Sequence, residues 1–196
     1  MLLPIISSGD PVLRQQSRAL SPIEIKSKEV QNLIEYMRET MRNAPGVGLA
    51  APQIGVSLQL AVIEDRKEYH KEISKEQMAL RERRPVPFHV IINPRIHSVS
   101  DDQEMEFFEG CLSVPGFFGL VPRTRGVIVE CLDQRGHPKT IQASGWYARI
   151  LQHEIDHLHG NLYVDIMSAR SFSSIENWEK FWKGQPIGDV RSALGC

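Results

Sequence analysis

His153-Glu154-Ile155-Asp156-His157, reached through Gly145-Trp146-Tyr147-Ala148-Arg149-Ile150-Leu151-Gln152, decides how the chain is read. Ile150, Leu151, Ile155 and Leu158 recur at helical intervals and Gly160 supplies a stop, so the spacing predicts a helix over about 145–159. Positions i and i+4 on a helix differ by roughly 40° of rotation, which puts both imidazoles on one face. Two rings one turn apart can share a metal ion at about 2.0–2.1 Å. Glu154 stands beside the first of them, placed to meet water rather than the ion. His159, six positions beyond His153, points elsewhere. The helix is mostly apolar, so these polar groups sit in a buried surface. Burying them without partners is costly, and coordination supplies a reason for them.

A third ligand is needed. Zinc proteases with this helical motif take it from downstream, as a Glu or within H-x-x-G-x-x-H. Here the chain continues Leu158-His159-Gly160-Asn161-Leu162-Tyr163-Val164-Asp165, and neither pattern is present. Upstream, Cys111 lies in Phe107-Phe108-Glu109-Gly110-Cys111-Leu112-Ser113-Val114-Pro115-Gly116. A free cysteine is usually a small buried hydrophobe. A glycine before this one and a Val-Pro-Gly turn after it shape the backbone around the thiol, which makes Cys111 the candidate.

Outward from these motifs, Val30, Leu33, Ile34, Met37 and Met41 predict an amphipathic helix over 28–43, ended by Asn43-Ala44-Pro45-Gly46. Its methionines read as core. Strands are expected over about 58–63, 88–93 and 104–108. A hairpin follows, 126–133 into 139–143, turned at Gln134-Arg135-Gly136. Residues 65–87 mix acids and bases and read as an exposed insertion with one short helix, not as a nucleic-acid patch. The aromatic segment Ser173–Trp182 is either exposed or docked, and the residues do not choose. Short strands with a few helices and no βαβ alternation imply an α+β fold. The expected architecture is short antiparallel or mixed sheets packed around the central helix that carries the HExxH motif. One domain spans 1–196, with a C-terminal tail from about 168.

The 196 residues carry a formal net charge of −1, so no electrostatic argument favours nucleic acid or an anionic membrane. No run reaches the roughly 18 apolar residues of a membrane span. Met1–Ile6 has no charged segment like that of a secretory signal. Three cysteines, Cys111, Cys131 and Cys196, argue against a disulfide framework and for a reducing compartment, with the cytoplasm as the default.

Three motifs, Gly46-Val47-Gly48-Leu49-Ala50-Ala51-Pro52-Gln53, Glu109-Gly110-Cys111-Leu112-Ser113 and Gln152-His153-Glu154-Ile155-Asp156-His157, resemble the signatures of the peptide deformylase family, in family order. The likeness runs from Gly9 to about Asp165. Gly145–Leu151 and the long insertion resemble the subgroup that includes plant-organelle and mitochondrial enzymes and some bacterial ones. A mitochondrial matrix or plastid stroma is then the alternative to a bacterial cytoplasm. The resemblance implies removal of formate from the N-formyl-methionine of nascent polypeptides, with transient ribosome contact, no direct nucleic-acid site and no membrane, in a monomer or homodimer. It implies Cys111, His153 and His157 as ligands of one divalent metal and Glu154 as general acid and base. Oxyanion donors would be the Gln53 side chain and the Leu112 amide. It implies Fe(II), exchangeable for zinc, nickel or cobalt, whereas the ligand set alone suggests zinc. Gly46, Val47 and Gly48 would form an edge strand that pairs with the peptide, with Gly110 beside it. A methionine pocket would draw on Val47, Phe107, Trp146 and Ile150. An ion pair of Glu109 with Arg123 would brace the cysteine loop. Some relatives carry an arginine after the cysteine motif; this chain has Gly116-Phe117-Phe118-Gly119.

Two rivals share the metal helix or its donors. A zincin-like endopeptidase lacks its downstream ligand. A His₂Cys copper electron-transfer protein would leave Glu154 without a task. A silent relative that only binds nascent chains is the third alternative.

Overall fold

Leu60-Ala61-Val62-Ile63 is apolar without alternation, the mark of a strand covered on both faces. The computed structural model, which describes residues 1–98 and 103–196, places it that way. The strands are β1 (Gly48–Ala50), β2 (Leu60–Asp65), β3 (Val86–Ser98), β4 (Glu104–Cys111), β5 (Val114–Thr124), β6 (Gly126–Leu132), β7 (Pro138–Ser144) and β8 (Ser173–Ser174). The helices are α1 (Pro22–Ile25), α2 (Lys28–Asn43), α3 (Lys75–Leu80), α4 (Gly145–Leu158), α5 (Ile175–Asn177) and α6 (Ile187–Leu194). One five-stranded antiparallel sheet has the order β1-β2-β3-β6-β7, and a three-stranded one has β4-β5-β8.

On one face of the larger sheet Leu60, Val62, Val90 and Ile92 meet Ile34, Met37 and Met41 of α2. On the other, Ala61, Ile63, Ile91, Val127 and Val129 meet Ala148, Leu151, Ile155 and Leu158 of α4. Helix α4 is thus held along an apolar stripe, which turns its remaining face toward the smaller sheet. The Ser27 hydroxyl caps α2 by accepting from Val30 N–H at 3.2 Å. Among the described residues no helix is long and apolar enough to cross a membrane.

The α+β architecture around the motif-bearing helix is the one expected, with three departures. First, β5 runs for 11 residues where the sequence indicated only a turn. Pro115, Gly116 and Pro122 hide it, and it is held by pairing with β4 from Glu104↔Thr124 to Cys111↔Val114. Second, the regular edge strand expected at Gly46–Gly48 begins at Gly48, although Val47 O already accepts from Glu64 N–H of β2 at 3.0 Å. Third, residues 65–87 are not simply solvated: Asp65 is fully buried and pairs with Arg83 and His70. The aromatic tail docks. Trp178 stacks on Phe118 with ring centroids 4.6 Å apart, and Val190 of α6 is buried with Phe108 and Leu120.

Candidate metal centre

Cys111 ends β4 just past a register shift between Glu109 and Cys111. A bulge of this kind re-aims a side chain, and here the thiol turns toward α4. Its Sγ lies 3.3 Å from His157 Nε2. The donor atoms of Cys111, His153 and His157 all fall within 4.8 Å of one another. His153 Nδ1 is engaged by Glu109 Oε2 at 3.0 Å, which leaves Nε2 for an ion. His157 is buried, with Nδ1 unpartnered among the described residues. One thiol and two imidazoles, gathered within reach of one ion and with His153 already oriented by Glu109, fit a single divalent metal.

Glu109 gathers the groups that hold His153 in place. Arg123 Nε and Nη2 each donate to it at 3.0 Å, and Arg149 Nη1 donates at 2.6 Å. Arg123 also pairs with Asp156. Burial by itself would raise the Glu109 carboxyl, but His153 and Arg123 hold it far below the usual carboxylate range. Burial opposes charge on His153 too, yet its hydrogen bonds to Cys111 and Glu109 prevail and raise it; His157 is pushed down by burial and then by the positive charge of His153 and Arg123. The ion pair expected between Glu109 and Arg123 is therefore present, within a larger network. One other residue of the helical motif serves position: Gln152 bonds both backbone groups of Thr124, at 3.2 and 2.8 Å, and so ties α4 to β5.

Glu154 projects beside this cluster, 4% exposed, with Oε2 sealed and unpartnered among the described residues. Burial raises its carboxyl to about 7. Strand β1 passes so close that a Cβ on Gly48 would lie 2.1 Å from Glu154 Oε1. Gln53, 2% exposed, accepts from Ala50 N–H at 2.9 Å through Oε1. Its Nε2 is thereby aimed at Ser113 Oγ (3.3 Å) and Cys111 Sγ (3.5 Å).

These groups open on a cleft of about 680 Å³. Of the residues singled out in the sequence, Gly46, Val47, Gly48, Gln53, Gly110, Cys111, Leu112, Trp146, Ile150, His153 and Glu154 line it. His157 sits behind the thiol. Phe107, buried, packs on the cleft-lining Trp146 with ring centroids 6.2 Å apart, and its neighbour Phe108 also lines the cleft. Arg81, Ile175 and Trp178 also line the cleft and were not foreseen. They come from the insertion and the tail, whose composition reads as surface.

Comparison with known proteins gives the context. The chain is 50% identical over 173 residues, 88% of its length, to "Peptide deformylase 1A, chloroplastic/mitochondrial" of Arabidopsis thaliana. It is 49% identical over 192 residues, 98% of its length, to "Peptide deformylase 1A, chloroplastic" of Solanum lycopersicum. It spans 64% and 65% of the length of those two relatives. A crystal structure of a class I type b peptide deformylase from Acinetobacter baumannii, bound to Met-Ala-Ser, superposes with TM-score 0.75 at 31% identity. The superposition covers 85% of this chain and 99% of that one. Residues 2–172 match the family described as polypeptide deformylase. Similarity of that extent, carried by sequence and by fold alike, makes the chain a member of the polypeptide deformylase family.

Proposed function

We propose that the protein hydrolyses the N-formyl group from the terminal methionine of nascent polypeptides, releasing formate and a free amine. The observation that carries the reading is the buried Glu154 carboxylate, set against Gly48 and beside the Cys111–His153–His157 cluster. Those three residues would hold one divalent ion, with Fe(II) favoured by the family resemblance and zinc, nickel or cobalt as substitutes. The chemistry such an ion supplies is Lewis acidity toward the formyl oxygen and toward water, whose pKa falls from 15.7 toward about 7.

The residues do the rest. Glu154 accepts the proton that attacking water loses and carries it to the leaving amine nitrogen as the C–N bond breaks. A carboxyl raised to about 7 by burial suits both halves of that task. Gln53 Nε2 and the Leu112 N–H donate to the formyl oxygen as it gains negative charge; loss of one such donor costs about 10²–10³ in rate. The peptide adds by main-chain hydrogen bonds alongside Gly46, Val47 and Gly48, the segment that leads into β1, with Gly110 opposite. Such recognition is indifferent to side chains, as an enzyme acting on many nascent chains requires. Val47, Trp146 and Ile150 take the methionine side chain, with Phe107 as backing. The whole chain acts as one catalytic unit. A bacterial cytoplasm, a plastid stroma and a mitochondrial matrix are all compatible with the names and hosts of the relatives.

Formate release from an N-formyl-Met tripeptide, measured on protein purified anaerobically with Fe(II) or reconstituted with nickel, tests the reading. Glu154→Ala should lose about 10²–10⁴ in turnover while keeping its metal, and chelation should abolish turnover. Absence of formate with stoichiometric metal bound would sink the proposal in favour of a silent binder of nascent chains.

A further inference from the structure

The charged segment after β2 puts a cation into the cleft. Buried Asp65 accepts from Arg83 Nε and Nη2 at 2.7 and 2.9 Å and draws the segment back over the start of α4. There Trp146 N–H donates to the Arg81 carbonyl at 2.8 Å. The contact is so close that a Cβ on Gly145 would lie 2.4 Å from Glu82 Cβ and 2.7 Å from Arg81 O. The backbone of Arg81 is thereby anchored, and its side chain lines the same cleft as Glu154. Its guanidinium carbon stands 4.9 Å from the Trp146 ring centroid and 5.5 Å from that of Phe107.

Three arginines crowd this wall, and two are answered by carboxylates: Arg83 by Asp65, and Arg149 by Glu109. Arg81 has neither a carboxylate partner nor a side-chain hydrogen bond among the described residues, and its Nε is sealed without an acceptor. Burial, then repulsion from Arg83 and Arg149, lowers its guanidinium to about 10, so it stays charged at neutral pH. The aromatic faces offset part of the cost of a desolvated cation. A guanidinium only donates, so what is missing is an acceptor, best an anionic one.

We propose that Arg81 is a specificity residue that selects peptides by charge, favouring a carboxylate on the second or third residue and disfavouring an ammonium there. This rests on the deformylase reading for the placement of a peptide in the cleft. The first side chain, a methionine, carries no charge, so any charge that meets Arg81 comes from the side chains of the residues that follow it in the same cleft.

The test uses metal-loaded protein and product tripeptides with amidated C-termini, so that side chains alone carry the added charge. Calorimetry compares Met-Glu-Ser with Met-Lys-Ser, and Met-Ala-Glu with Met-Ala-Lys; the two pairs separate the two positions. In at least one pair the acidic peptide should bind about three- to tenfold more tightly at low salt. Added salt should shrink the ratio. Arg81→Gln should bring it near one. Arg81→Lys, which keeps the charge, should retain a preference and so separates loss of charge from loss of fold. The kcat/KM values of the formylated peptides should follow the same ratios. Equal binding of both members of both pairs, or a preference that survives Arg81→Gln, overturns the role of Arg81. Charge-selective binding without formate release overturns the deformylase reading and leaves Arg81 standing. Formate release without charge preference does the reverse, and no binding of any peptide overturns both.

Discussion

Glu154 and Gly48 show how much one atom decides. The carboxylate occupies the space that any side chain at position 48 would need, 2.1 Å from the site of a Cβ. Gly48→Ala should therefore displace Glu154 while leaving Cys111, His153 and His157 untouched. The expected outcome is a loss of formate release of about 10²-fold or more, in line with removal of a positioned acid or base, with bound metal still one per chain by elemental analysis. Full activity in that variant would show that Glu154 tolerates displacement and is not the proton carrier.

Elements enter through the network that joins β4, β5 and α4. Glu109 on β4, Arg123 on β5 and Asp156 on α4 lock the cysteine to the histidines, and Glu109 and Arg123 are each 5% exposed. Arg123→Ala leaves Glu109 buried with fewer counter-charges, which typically costs about 3–5 kcal/mol. Loss of second-shell support commonly weakens metal affinity by about 10–100-fold. Urea unfolding and metal retention during dialysis measure the two effects, and no change in either would refute the bracing role. Helix α4 itself is held by packing. Leu151, fully buried against the larger sheet, should cost about 2–5 kcal/mol on truncation to Ala, read as a lower urea midpoint with an unchanged slope.

For the molecule as a whole, stability should depend on metal and on pH. An ion bound by the native state alone stabilises it by mass action. A chelator should therefore lower Tm in the parent and in Glu154→Ala alike, because Glu154 is not a ligand. His89 supplies a pH dependence away from the metal. Its Nδ1 donates to Pro87 O at 2.9 Å and its Nε2 accepts from Tyr147 Oη at 2.9 Å, an arrangement that suits the neutral ring. Burial lowers its pKa in the folded chain below the ordinary 6.5. The unfolded chain then binds the extra proton more readily. The stability from this group is fully present above about pH 6.5 and is lost as pH falls through the folded pKa. NMR titration should place His89 below 6.5, and His89→Gln should flatten the metal-loaded protein's stability between pH 7.5 and 5.5.

The helix that carries His153, Glu154 and His157, the second amphipathic helix and the hairpin of β6 and β7 are legible in the amino-acid order, because each is written in local periodicity. Its motifs also resembled one family closely enough to point to Cys111 and Gln53, which residue chemistry alone left as a candidate and as an unassigned side chain. Tertiary structure alone decided the rest. Strand β5 exists through its pairing with β4 despite two prolines and two glycines. Arg81 and Trp178 reach it because Asp65 and Phe118, distant in sequence, pull the insertion and the tail onto the domain. Local patterns encode elements, whereas contacts between distant residues arise only when burial and ion pairing offset the chain entropy of bringing them together.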